Sequence, residues 1–462
     1  MMTTNFRIYF QSIMLSVLIP LCAQAVEANT VIATITTGVT PAGIAITPNN
    51  QFAYVANNNN YGIANEDSVS VLNLTTNTAD TIIHDVSFDQ PYTVTINAAG
   101  TKAYVTNSVA TTITIIDIAT NTVAGIINGF NGPSGMVITP DQTTAYVNNY
   151  GAGGGSGTGN TVSVVNLNTN IITHSIVVGL APASLAIAPD GNFVYVINYV
   201  NGNPDMGTIS VIDTNTNTVV GAPITGFSGP FGIAITPDGN FAYVTNFGSN
   251  NFAPYGTTVS VVDLNTNMIV DTVTLGIQPS GIAITPDGRF VYASNYNSLY
   301  AGVSFTDLVA GEGTVNIIDI ATNMVIPPII AVDQAPDYIA ITSDGSFAYV
   351  SNFSSNTVNA IALPTFQITG QGCKRQNVFL TQTDIINKLT WSATGSSLPV
   401  SYSIYRDAGL TELVATVPAT EPLQFSDHNR APNTTYTYYL VGTNAAGTTS
   451  LPIAITVTQN CS

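Results

Sequence analysis

Short runs of Val, Ile, Ala, Thr and Tyr alternate with polar turns along most of the chain, with no apolar recurrence at the spacing of a helix face. One run recurs around a tyrosine: Ala53-Tyr54-Val55, Ala103-Tyr104-Val105, Ala145-Tyr146-Val147, Val194-Tyr195-Val196, Ala242-Tyr243-Val244, Val291-Tyr292-Ala293 and Ala348-Tyr349-Val350. Two positions beyond each stands an asparagine: Asn57, Asn107, Asn149, Asn198, Asn246, Asn295 and Asn352. The tyrosines are 50, 42, 49, 48, 49 and 57 residues apart, a period that suits a toroidal or solenoid array.

Three further signals keep phase with the tyrosine. Upstream lies a proline, a short β-favouring run and a turn, as in Pro279-Ser280-Gly281-Ile282-Ala283-Ile284-Thr285-Pro286-Asp287-Gly288. Proline presets one corner of that turn and glycine supplies the positive φ of another. Downstream comes Val259-Ser260-Val261-Val262-Asp263-Leu264-Asn265-Thr266-Asn267 and its equivalents, then a fourth β-rich run. Four hairpin-linked strands per repeat, apolar on both faces, predict one blade of a propeller sandwiched between two others. Small residues (Ala45, Ala186, Ala234, Ala283, Ala340) at one position of the first strand fit the crowding near an axis.

The last repeat contains only three strands, and a spare fourth-strand pattern lies at residues 30–36. Placing that segment outside the last repeat removes an exposed sheet edge and closes a ring of seven blades. The expected fold class is therefore all-β: a seven-bladed β-propeller over residues 26–364, then a small β-sandwich.

Composition sharpens this picture. The chain has 462 residues; only 7% are charged, against roughly a quarter in average proteins, and 45% are hydrophobic. Of 26 acids, 21 fall in residues 26–364 beside two bases, Lys102 and Arg289; residues 365–462 hold five of each. That step marks a domain boundary, with residues 365–372, containing two glycines, read as a linker and 373–462 as the second domain. A net charge of −18 argues against nucleic acid and anionic membrane surfaces as partners. Residues 1–25 read as a signal peptide: Arg7, an apolar stretch over 13–21 and Ala23-Gln24-Ala25 before the cut. An export signal predicts a periplasmic, cell-surface or extracellular protein of a bacterium, with no membrane insertion after the signal is removed.

The recurring Tyr-Val-x-Asn, Ile-Ala-Ile-Thr-Pro-Asp-Gly and Val-Ser-Val-x-Asp-x-x-Thr-Asn elements resemble the YVTN-family β-propeller repeat over about residues 30–362. The resemblance implies a secreted, periplasmic or cell-surface protein, some of that family belonging to surface layers, and fixes no activity. In the second domain Trp391 lies in an early strand and a tyrosine-rich strand, Tyr436-Thr437-Tyr438-Tyr439, comes late. This domain resembles fibronectin type III modules, which implies seven strands in two sheets. Cys373 and Cys461 flank it, and export favours a disulfide between them. If they mark the starts and ends of first and last strands running the same way, they lie at opposite poles. An internal bond and free or intermolecular thiols both stay open.

Candidate chemistry is sparse. His84, His174 and His428 have no metal-ligand spacing. Gly151 to Gly157 is glycine-rich but has no lysine and no following helix, so it reads as a loop, not a phosphate cradle. Asp141, Asp190, Asp238, Asp287 and Asp344 each sit in a separate hairpin, as do Asp117, Asp213, Asp263 and Asp319, so turn formation is expected and not a convergent calcium site. No catalytic residue, metal or cofactor is assigned. The expected binding residues are aromatic. Tyr150, Tyr199, Phe247, Tyr296 and Phe353 directly follow the repeat asparagine, and Tyr92, Phe231, Asp337 and Tyr338 flank the first-strand prolines on the same face. That face also carries irregular loops over 58–67, 151–160, 201–207, 248–257 and 297–313. The expected function is non-enzymatic binding or scaffolding, with a protein or glycan as partner. A propeller enzyme of lactonase or lyase type and a structural surface-layer subunit are the alternatives.

Overall fold

The computed structural model describes residues 28–458 apart from 60–65, 152–156, 200–206, 249–254, 297–312, 365, 380–381, 396–398, 432–433, 445–449 and 451–452. All its regular elements are β-strands. Six sheets are each made of four consecutive antiparallel strands, for instance Pro230–Ile235, Phe241–Gly248, Tyr255–Asp263 and Met268–Thr274 in blade 5. A seventh takes Pro336–Ile341, Phe347–Asn352 and Thr357–Ala362, with Thr30–Thr36 on its outside. The innermost strand of each blade packs against that of the next, and the last against the first, so the ring is closed. The fold is a seven-bladed β-propeller.

Closure is a strand pairing. Thr36 lies opposite Thr357 and Thr30 opposite Ala362, with one register shift between Val31 and Ala33. Ile35 is buried with Val358 and Ala360 in the cluster between blades 7 and 1. The residue just before the strand completes the join: Asn29 accepts a 2.6 Å bond from the buried hydroxyl of Tyr292 in blade 6.

That bond belongs to a series. The repeat tyrosine donates to the asparagine in the last turn of the following blade: Tyr54 to Asn121, Tyr146 to Asn217 (2.6 Å), Tyr243 to Asn323 (2.6 Å) and Tyr349 to Asn77 (2.8 Å). These acceptors, and Asn29, all sit at φ between 52° and 60°, the left-handed region that asparagine tolerates better than most residues. Burial pushes the Tyr54, Tyr146 and Tyr243 phenols up to about 12, so they remain donors at any physiological pH. Within a blade the repeat asparagine ties strand two to strand three. Asn246 Nδ2 donates to the hydroxyls of Thr258 and Ser260, both at 2.9 Å, and Asn57, Asn107, Asn149 and Asn198 do the same with their own pairs of hydroxyls.

The C-terminal part is a sandwich of two sheets. One holds Phe366–Phe379, Gln382–Gly395 and Gln424–Asp427; the other holds Leu413–Pro418, Pro399–Tyr405, Tyr436–Asn444 and Ile453–Val457 in that order. Leu389 and Trp391 from the first sheet pack on Tyr402, Ile404, Tyr438, Leu440 and Ile455 from the second. The buried Tyr438 hydroxyl donates to Asp427 at 2.6 Å and accepts from Asn387 at 2.9 Å, which satisfies the polar end of a core ring.

Two sequence expectations change here. Residues 366–372, read as linker, are the first part of a strand paired along its length with Gln382–Gly395, because Gly370 and Gly372 give access to the core and do not mark a break. A Cβ on Gly370 would lie 2.5 Å from Ile455 and one on Gly372 2.5 Å from Val457, so this strand runs beside Ile453–Val457 in the same direction. Cys373 therefore stands midway along its strand, level with the end of the last one, and the opposite-pole objection falls away. Cys373 is disulfide-bonded; Cys461, like Cys22 and residues 1–25, lies outside the described residues.

Three outcomes are expected. Removing the chain through Thr36 uncovers the apolar strand Thr357–Ala362 and should broaden the melting transition and lower its midpoint by about 10 °C or more; Tyr292→Phe alone should cost about 1–2 kcal/mol by stranding the Asn29 acceptor. An unchanged melting curve for the truncated chain would contradict ring closure. Peptide mapping without reductant should link Cys373 to Cys461, and a peptide carrying free Cys461 would count against that pairing.

Candidate functional site: the aromatic mouth of the propeller

Each blade begins at a proline whose preceding residue is left-handed: Thr40 (φ 50°), Gln90 (48°), Gly132 (61°), Ala181 (51°), Gly229 (58°), Gln278 (53°) and Ala335 (55°). This turn brings the chain from the rim to the axis. Its carbonyl accepts the N–H of the residue that follows the repeat asparagine, at 2.9 or 3.0 Å in all seven blades: Asn58, Ser108, Tyr150, Tyr199, Phe247, Tyr296 and Phe353. The scaffold thus holds one backbone position per blade at the mouth and leaves its side chain free to vary. Five of the seven carry an aromatic ring.

Those rings meet. Tyr199 packs on Phe231 (centroids 6.3 Å apart), Phe231 on Phe247 (5.5 Å), Phe247 on Tyr296 (5.9 Å) and Tyr296 on Phe353 (6.5 Å). Tyr150 packs into the same cluster beside Tyr199. Over blades 1 and 2, where the anchored position holds Asn58 and Ser108, the arc is completed from the inner strands: Tyr338 of blade 7 meets Tyr92 of blade 2 edge-on at 5.9 Å. Tyr199 and Phe247 are buried, whereas Tyr92, Tyr150, Phe231, Tyr296, Tyr338 and Phe353 are half-exposed. The rings are therefore both packing between blades and a surface, in different members of one collar. The tips of the loops read as a variable binding rim, at 60–65, 152–156, 200–206, 249–254 and 297–312, lie outside the described residues.

Asp337 lies at the foot of this collar and is 6% exposed. The Ser280 hydroxyl of blade 6 lies within donating distance of Asp337 Oδ1 at 2.7 Å and of the Asp337 carbonyl oxygen at 3.0 Å. Burial raises the carboxyl to about 6, with the Ser280 bond pulling the other way. Burial pushes the Tyr92 and Tyr338 phenols up; Tyr338 and then Asp337 add to the rise at Tyr92, and Asp337 adds to it at Tyr338, where the Tyr92 hydrogen bond pulls the other way. Neighbouring inner strands approach so closely that a Cβ on Gly232 would lie 2.4 Å from the Ser280 carbonyl oxygen and one on Gly281 2.5 Å from that of Asp337. Tyr338 occupies the equivalent position in blade 7, where the next blade presents only the small, buried Ala42. Ser280 was not singled out from sequence; the available signal was its alignment with Asp337 after the first-strand proline.

The turn aspartates behave as expected. Asp238 accepts the Thr236 hydroxyl at 2.5 Å and the Asn240 N–H at 3.1 Å, and these bonds, the Thr236 hydroxyl above all, hold its carboxyl low. Asp141, Asp287 and Asp344 pair likewise with Thr139, Thr285 and Thr342. Among the described residues no group of three or more His, Cys, Asp or Glu side chains could hold a metal ion.

Comparison with known proteins agrees on architecture. A family model described as Lactonase, 7-bladed beta-propeller matches residues 199–304, less than a quarter of the chain. Hydrazine synthase of Kuenenia stuttgartiensis superposes with a TM-score of 0.59 at 21% identity, over 70% of this chain and 96% of that one, a likeness of fold alone. A PE-PGRS family protein of Mycobacterium tuberculosis is 45% identical over 60 residues, and the match spans 13% of its length and 13% of this chain.

An aspartate with a raised folded pKa stabilises the fold only while protonated. That contribution is complete below the unfolded value near 3.8 and lost as pH rises through about 6. Asp337→Asn should therefore stabilise the protein by about 2–3 kcal/mol at pH 8, the gain shrinking to nothing near pH 4. Denaturant melts across that range test it; a variant less stable than the parent at pH 8 would contradict the buried, costly carboxylate.

Proposed function

We propose that the protein is an exported, non-enzymatic binding or scaffold protein whose propeller mouth recognises a protein or glycan. The observation that carries this reading is the aromatic collar with a single buried carboxylate at its foot. Half-exposed ring faces and edges stack on sugar rings or on cationic side chains. Asp337 supplies an acceptor for a hydroxyl or ammonium group, and it is held there at a cost to stability, which suits a group kept for function. The surplus of acids over bases in residues 26–364 favours ligands that are neutral or positive. The sandwich serves as a spacer or second contact. Its three-on-four sheet order and its buried Trp391 and Tyr438 support the reading as a fibronectin type III-like module, and the seven tyrosine repeats support the YVTN-type assignment.

A second reading draws on the partial lactonase match and on Asp337. A carboxylate near 6 hydrogen-bonded to Ser280 has the protonation range of a general base for lactone hydrolysis.

One experiment separates the two. The purified chain is applied to a glycan array and used as bait in a pulldown, and lactone turnover is measured alongside. Binding that falls about tenfold in Tyr92→Ala and Tyr338→Ala, with no turnover, is expected. Blank arrays and pulldowns together with turnover that follows a pKa near 6 and is lost in Asp337→Asn would replace the binding reading with the enzymatic one.

A further inference from the structure

The sandwich holds a cluster of cations that stability does not explain. Residues 365–462 carry five of the eight lysines and arginines in the chain. Three of the five are engaged. Lys374 donates to the Thr434 carbonyl at 2.6 Å. Arg406 forks between Asp427 (3.0 Å) and Glu412 (2.9 Å). Arg430 donates to the His428 carbonyl at 2.9 Å, approaches Asp427 at 3.6 Å and lies over the Tyr436 ring. Among the described residues the side chains of Arg375 and Lys388 make neither a hydrogen bond nor an ion pair. These two converge on one cleft.

The cleft, about 400 Å³, opens on the three-stranded sheet and is lined by Arg375, Lys388, His428, Ser426, Ile386 and Phe425 among others. Register explains the convergence. Arg375 lies opposite Ile386, and Lys388, two residues on, lies opposite Ser426 of the next strand, so the two cations project from the same face. Buried Ile386, on the same face as the two cations, gives the cleft an apolar side. His428 is oriented by Asp384, whose Oδ2 meets its Nδ1 at 2.6 Å while Oδ1 accepts the Asn429 N–H at 2.8 Å. That carboxylate is thus occupied at the rim. The cleft offers a guanidinium, an ammonium, an imidazole and a hydroxyl beside carbon surface.

We infer that this cleft is a binding site for an organic anion: a carboxylate, sulfate or phosphate head joined to an apolar body. A guanidinium matches the geometry of such an oxyanion and the ammonium adds a point charge. The site is separate from the propeller mouth, and its chemistry is of the opposite sign.

The test uses the full chain and four probes: phenyl phosphate, benzoate, inorganic phosphate and phenol, each titrated by calorimetry with ligand-observed NMR. Phenyl phosphate and benzoate should bind more tightly than inorganic phosphate or phenol, and the stronger of the two identifies the preferred head group. The double variant Arg375→Ala/Lys388→Ala should weaken that binding about tenfold or more. The double variant Lys102→Ala/Arg289→Ala makes the same change in net charge within the propeller and should leave it unaltered. Matching melting curves for the parent and the first variant show that the loss is not one of folding. Equal losses in both variants, or phenol binding as well as phenyl phosphate, would overturn the inference, as would no binding by either aromatic anion.

Discussion

The hydrogen bond from five of the seven repeat tyrosines to a left-handed asparagine of the next blade is the interaction on which the ring depends. A blade is a small twisted sheet, apolar on both faces, and has no stable existence alone. Apolar burial between blades is plentiful but has little directional preference. The buried phenol has a polar end that must be satisfied, and a single acceptor at φ near 55° in the following blade satisfies it. Each such bond sets the angle between two blades. Asn29 meets the same requirement from the other end of the chain, so the condition that orients neighbouring blades also closes the circle.

The same logic separates scaffold from surface at the mouth. In every blade a pre-proline carbonyl holds the N–H of the residue after the repeat asparagine, whichever residue that is. Asn58 and Ser108 fill the position in two blades and aromatic rings fill it in five, with no change in the backbone bond. Because the main chain carries the anchoring, side chains there are free to vary and to pack on one another. Tyr92 and Tyr338 show the freedom most clearly, reaching from two inner strands across the small Ala42 to close a gap that the anchored positions leave.

Charge divides the molecule a second time. In the propeller Asp141, Asp238, Asp287 and Asp344 serve hairpin turns, where a threonine hydroxyl and a backbone N–H engage each carboxylate. Asp337 differs from these: it is buried, accepts a serine hydroxyl, and has no ion pair among the described residues. In the sandwich, among the described residues, the side chains of Lys374, Arg406 and Arg430 are engaged and those of Arg375 and Lys388 are not. In both parts the groups left outside the structural network mark the places with chemistry to offer.

Much of this was legible along the chain. Seven tyrosine runs, the Pro-Asp-Gly turns and an unused strand at residues 30–36 determine blade number, strand order and the means of closure, because each depends on local backbone chemistry and on a count. The aromatic positions could be named for the same reason, since they keep phase with the repeat. What sequence could not decide was contact. Whether Tyr199 and Phe247 are buried while Phe231 stays half-open, whether Ser280 reaches Asp337, and whether Arg375 and Lys388 share a face all rest on distances between segments far apart in the chain. The strand Phe366–Phe379 makes the same point: its two glycines read as a break until Ile455 and Val457 are seen against them. Periodicity specifies which residues form a repeating unit; only the closed packing of those units decides which side chains are spent on the fold and which remain available.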